Sequence, residues 1–176
     1  MEKLSRLDLW TRQLGLDGFK VVHERHDRPS DPVLLTILET AKIALCPHCC
    51  RPSESVHLNR DSNPIRDLSH GTQTVELIFH ARQFHCEHCD RYFTPPCPHV
   101  APGVHATERF LEQAAKLIRF SDIANVAAFF GLPEKTLEGW YYDYVERKTQ
   151  QPPADLKPIK SVGVDELSLK KNTGSS

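Results

Sequence analysis

Six cysteines occur in this chain of 176 residues, and four of them form two Cys-x-x-Cys pairs. The pairs are Cys46-Pro-His-Cys49 and Cys86-Glu-His-Cys89. Two intervening residues let a tight turn aim both thiolates at one ion. Two such turns complete a tetrahedral four-sulfur site, which suits zinc. The bland alternative is four ordinary reduced cysteines, but each pair stands at the end of a predicted strand, as in a zinc ribbon. Four sulfurs leave no open coordination position, so the expected zinc is structural and not catalytic. Cys50 stands where glycine would ease the turn and reads as a bystander. Cys97, among prolines, reads as unligated. His48 and His88 lie inside the turns and are expected to face solvent. His23 and His26 resemble a metal pair, but on a strand they would point to opposite faces. A second feature with chemical potential closes the chain. Val162, Gly163 and Val164 read as a short strand, followed at once by Asp165 and Glu166, and carboxylates at the end of a core strand often hold a metal ion.

The composition sets the context for these groups. The apolar fraction is 39% and the charged fraction 26%, as in a globular protein. No apolar run approaches the ~18 residues of a membrane span, so no membrane partner is expected. The opening MEKLSRLDLW lacks the apolar stretch of a secretory signal, which predicts a cytoplasmic location. In that reducing setting, paired cysteines are more often metal ligands than disulfides. The formal net charge of -1 carries no basic excess, which weighs against nucleic acid as a partner.

The elements that must position the cysteines follow from pattern. Residues 1–45 read as a β-rich region. Leu14-Gly15-Leu16 leads to a strand over Phe19–His26, and Val33–Leu38 forms the next after a polar turn. Residues 46–93 carry the zinc ribbon. Within it, Thr74–Phe84 reads as a strand, with Val75, Leu77, Phe79 and Ala81 on one face. Residues 94–106, with Pro95, Pro96, Pro98 and Pro102, form a connector. Residues 107–148 are helical, with Thr107 as N-cap and Phe110, Ala114, Leu117 and Ile118 on one face. Residues 149–158 form a proline-rich linker, and residues 159–176 follow it.

Within the helical region, Ile123, Val126, Ala127 and Phe130 share one face. Gly131-Leu132-Pro133 makes a turn, and Leu137, Trp140, Tyr141 and Tyr144 share the face of the next helix. A helix-turn-helix needs a small residue where its helices touch, a glycine in the turn and an apolar residue on the second helix. Ala127, Gly131 and Leu137 meet those needs. In that reading Glu134, Lys135, Thr136 and Gly139 face bases, while Arg119 and Ser121 touch phosphates. The charge speaks for a hairpin that packs on something else. Between His105 and Gln150 six bases (Arg109, Lys116, Arg119, Lys135, Arg147, Lys148) meet seven acids (Glu108, Glu112, Asp122, Glu134, Glu138, Asp143, Glu146).

The order of these parts resembles bacterial insertion-sequence transposases of the ISL-three family. The motifs that carry the resemblance are the "LGL" start, the two cysteine pairs, "RQFHC" and "GVDELSLKK", and it covers nearly the whole chain. The resemblance implies zinc on Cys46, Cys49, Cys86 and Cys89, and binding of double-stranded DNA at the ends of a mobile element. It also implies a DDE catalytic core of RNase H-like fold that opens at Asp165, the first carboxylate to hold catalytic Mg²⁺ in a full-length relative. Cys50 departs from the glycine usual in that family, and "NTGSS" replaces its next strand. One strand without partners cannot make a sheet, and one or two carboxylates cannot hold two Mg²⁺ ions in the geometry a two-metal reaction needs.

The expected fold class is therefore an α+β multi-module chain. A small β-rich N-terminus with a zinc ribbon precedes a helix-turn-helix region and a truncated first strand of an RNase H-like core. The expected function is recognition of terminal inverted repeats without strand cleavage. A stand-alone zinc-dependent regulator and a protein-interaction module are the rival readings. Homo-oligomerisation is left open by the sequence.

Overall fold

A computed structural model describes residues 5–28 and 31–150. The chain is α+β, with a β-rich sheet in its first part and four helices among the described residues. Asp165 and the rest of residues 151–176 lie outside that description.

The first element is a helix, α1 (Arg6–Leu14). Ser5 caps its N-terminus. The Ser5 side chain accepts from the Asp8 backbone N–H at 3.1 Å, and the Asp8 carboxylate accepts from the Ser5 N–H at 3.2 Å. Such a reciprocal box satisfies donors that the first turn would otherwise leave open. Gly15 ends the helix at φ 56°, a left-handed conformation that glycine adopts without steric cost. Trp10 and Leu14, one turn apart, bury the inner face. The β-rich expectation for residues 1–45 omits this helix, whose nine residues are shorter than most periodic signals.

Strands β1 (Phe19–Arg25) and β2 (Val33–Glu39) pair antiparallel as a hairpin. Two short strands, β3 (Ala44–Leu45) and β4 (Pro52–Ser53), pair with each other. Then come β5 (Val56–Asp61), β6 (Ile65–Arg66), the long β7 (Val75–Cys86) and β8 (Arg91–Phe93). The 12-residue β7 organises the rest. Its first half pairs in parallel with β2 and antiparallel with β6, and its second half pairs antiparallel with β5 and β8.

Strand alternation lets β7 serve two apolar clusters on opposite faces. The odd-numbered Val75, Leu77 and Phe79 pack with Trp10, Leu35 and Ile37, with Ala81 against their edge. The even-numbered Phe84 and Cys86 instead pack with Cys46 and Phe93. Phe84 and Phe93 stack with ring centroids 5.7 Å apart.

The remaining helices are α2 (Glu108–Ile118), α3 (Ile123–Phe130) and α4 (Glu134–Gln150). Thr107 caps α2 as its sequence predicts, and Asp122 caps α3. Gly131, at φ 63°, closes α3. Phe110, Ala114, Val126, Ala127, Phe130 and Leu137 form their common core, with Leu117, Ile118, Trp140 and Tyr144 packed against it. Tyr141 is half-buried and stands apart from that core. The helix continues through Thr149 and Gln150, where the sequence suggests a linker. The prolines of 94–106 do more than connect. Ala101, Val104 and Ala106 join the helical core, and Cys97 is buried in the sheet core.

A buried polar network fastens the helices to the sheet. The fully buried Asp67 accepts from the Thr107 hydroxyl and from Arg109 Nε, each at 2.7 Å. Arg109 Nη2 pairs with the other carboxylate oxygen, and Arg109 Nη1 donates to the Leu14 carbonyl at the end of α1. Next door, Arg66 Nη2 donates to the Phe130 carbonyl at 2.5 Å and so caps the last turn of α3. Removing one partner of a buried ion pair strands the other. Asp67→Ala is therefore expected to cost about 3 kcal/mol of stability, read as a shifted midpoint in urea unfolding. A change of a few tenths would deny the network this role.

Candidate metal centre and nucleic-acid interface

The hairpins β3–β4 and β7–β8 each end in one cysteine turn, and the two turns meet. Cys46, Cys49, Cys86 and Cys89 place their sulfurs within 4.8 Å of one another. Cys46 Sγ lies 3.6 Å from Cys89 Sγ, and Cys49 Sγ lies 3.5 Å from Cys86 Sγ. Zn–S bonds of about 2.3 Å in a tetrahedron imply sulfur pairs about 3.8 Å apart, so the four sulfurs fit one ion of that kind. They are free thiols, not disulfides. Cys46 and Cys86 are buried, Cys49 and Cys89 half-buried, as a closed structural site requires.

Local backbone explains the arrangement. After each Cys-x-x-Cys pair comes a residue in the left-handed region, Cys50 at φ 56° and Asp90 at φ 53°. The Cys50 N–H donates to the Cys46 carbonyl at 2.8 Å, closing the first turn. The sequence signal at Cys50, a position suited to glycine, is thus a backbone demand. Its counterpart at Asp90 is a position that residue pattern alone did not mark. Cys50 is exposed and Cys97 is buried in another cluster, so neither joins the four. His48 and His88 are exposed, as expected. His23 lies on β1 and His26 just beyond it, and neither belongs to the metal-competent group found among the described residues.

Cys46 and Cys89 are shifted in opposite directions. Burial pushes Cys46 up, but the backbone N–H groups of His48 and Cys49 and the neighbouring thiols outweigh it and bring it down to about 7. Burial and the other three sulfurs push Cys89 up to about 12. Crowded thiols cannot all ionise without a cation among them, so metal binding must expel protons.

The helical region supplies the other candidate residues. Glu134, Lys135 and Gly139 are exposed on the first turns of α4, and Thr136 is half-buried. Arg119 and Ser121 are exposed at the α2–α3 junction. A Cβ added to Gly139 would meet nothing within 4 Å, so that face is open. Phe120 and Phe129, 90% and 76% exposed, are large apolar side chains on this unit that the core pattern did not anticipate.

Residue pattern also missed Arg51 and Arg91 and the bonds they make across the metal centre. Arg51 Nη1 donates to Nδ1 of His88 at 3.1 Å, and Arg91 Nη1 donates to Nδ1 of His48 at 3.2 Å. Each bond crosses from one turn to the other. The signal was present as a repeat, Cys-x-His-Cys-x-Arg at residues 46–51 and 86–91.

A curated relative from Bordetella parapertussis, "Transposase for insertion sequence element IS1001", is 26% identical over 160 residues, which is 89% of this chain. The chain spans 38% of the relative's own length. No family model and no solved structure matches. Among the described residues, no helix is long and apolar enough to cross a membrane.

The sulfur geometry leads to two expectations. The purified chain should carry one metal equivalent, and Cys46→Ser or Cys86→Ser should lose it, whereas Cys50→Ser and Cys97→Ser should keep it. Elemental analysis of the five proteins decides. Because the thiols must lose protons to bind, zinc affinity should already fall as pH drops below the Cys89 value of about 12, and fall more steeply below the Cys46 value of about 7. Titration with Zn²⁺ across pH, with proton release recorded in weak buffer, checks that sign. Affinity that is level with pH would contradict it.

Proposed function

We propose that this chain is the DNA-recognition part of a transposase of ISL-three type, binding double-stranded DNA at the ends of a mobile element. The observation that carries the reading is the likeness to an insertion-sequence transposase over nearly the whole chain, at whose centre lies a four-cysteine cluster with tetrahedral spacing. In this reading the cluster holds structural zinc. Helices α3 and α4 act as a helix-turn-helix, with the start of α4 in the major groove. Asp165 would be the first of the carboxylates that hold catalytic cations.

The charge balance reads differently once partners are assigned. Of the bases in the helical region, Arg109 pairs with Asp67, Lys116 with Glu112 and Arg147 with Glu108. Among the described residues no carboxylate pairs with Lys148, nor with Arg119 or Lys135. Arg119 and Lys135 are the positions assigned to a phosphate and a base edge. A protein-interaction module remains the second reading, and the exposed Phe120 and Phe129 favour it.

Binding is measured by fluorescence anisotropy with element-end duplexes and unrelated duplexes over a range of salt. Element ends should bind more tightly, with affinity falling as salt rises. Lys135→Ala should weaken binding about tenfold or more while leaving the melting temperature unchanged. Gly139→Ala is a sharper probe. Without a clash in the folded chain, alanine should stabilise α4 by about 0.5–1 kcal/mol, yet its methyl should impede close approach to a base. Equal affinity for all duplexes, or unchanged binding by both variants, would move the weight to the protein partner.

A further inference from the structure

We propose that the repeated Cys-x-His-Cys-x-Arg turns form a reciprocal clasp, in which Arg51 with His88 and Arg91 with His48 hold the two turns together and retain the metal ion. The inference rests on the four-cysteine site holding a metal.

The two arginines are equivalent in the fold. Each stands opposite the first cysteine of its own turn. Cys46 N–H donates to the Arg51 carbonyl at 2.9 Å, and Cys86 is the register partner of Arg91. Each follows a left-handed residue, Cys50 or Asp90, which turns the chain back on itself. From these matching places, each guanidinium reaches the histidine of the opposite turn, at 3.1 and 3.2 Å. A bond within one turn would stabilise that turn alone. The crossed bonds leave neither turn complete without the other.

The chemistry of the donors fixes their roles. A guanidinium has only donors, so each Nδ1 must accept. That places the proton of the neutral imidazole on Nε2, away from the clasp. Among the described residues no carboxylate pairs with either arginine. Four thiolates and one divalent ion sum to a formal charge of about -2, and the two guanidinium groups offset it. The four side chains are thus positioning residues. They touch no metal themselves, and they hold the turns whose sulfurs do. Partners of this kind around metal ligands commonly change affinity by about 10- to 100-fold when removed.

The test is the rate at which the zinc-loaded full chain gives up its ion to excess chelator. Arg51→Ala, Arg91→Ala, His48→Ala and His88→Ala should each speed release about tenfold. Arg51→Ala combined with His88→Ala should be no faster than either alone, because one bond is lost. Arg51→Ala combined with Arg91→Ala should multiply to about a hundredfold, because two are lost. His88→Asn should keep release slow, since its side-chain oxygen stands where Nδ1 stood. His88→Gln should not. Unchanged release in the single variants, or multiplication within the Arg51–His88 pair, overturns the clasp. Where an alanine variant fails to fold, Co²⁺ affinities of His88→Asn and His88→Gln decide, and equal values overturn it. A wild-type chain that takes up no zinc overturns the metal centre, and the clasp falls with it.

Discussion

A carboxylate sealed from water tolerates no loose arrangement, and Asp67 is such a group. Its burial is bearable only with partners in place, and one end of one helix supplies them. Thr107 and Arg109 come from the start of α2, and Arg109 in turn reaches the end of α1. The Thr107 hydroxyl donates to Asp67 while accepting from the Phe110 N–H, so one oxygen both caps a helix and docks it. Arg66, the neighbour of Asp67, grips the end of α3. Two adjacent residues on the sheet side therefore set where three helices sit. Any interface on α4 inherits its orientation from them.

Much of the candidate site was legible before the fold. The cysteine spacing marked the four sulfurs, because a tight turn converts sequence distance into a small range of positions. The apolar period of the helices marked Phe110, Ala127 and Leu137, because 3.6 residues per turn leaves a repeating trace. What escaped has a common cause. The pairing of Asp67 with Arg109 joins residues far apart in sequence, and such pairs leave no local period. The short α1 escaped differently, since its nine residues leave little periodic trace although a capping box stands at Ser5 and Asp8. The crossing of Arg51 to His88 needed the meeting of two hairpins before it meant anything.

The metal centre and the helical region also differ in how they use charge. Around the sulfurs Arg51 and Arg91 face the histidines of the opposite turn. In the helical region Arg109 and Arg147 are turned toward acids of the fold itself. A formal charge near zero therefore describes two separate economies of pairing, and it says little about the few cations that remain exposed on either.

The alternating faces of β7 carry one more consequence, for the gene. Phe79 and Phe84 serve different cores because an odd number of steps separates them along a pleated strand. Losing or gaining a single codon between them would leave one core correctly faced and turn the other toward solvent. Substitutions can drift at the exposed positions of this strand. Its length between those two aromatics cannot drift by one, and a viable change there must come in steps of two.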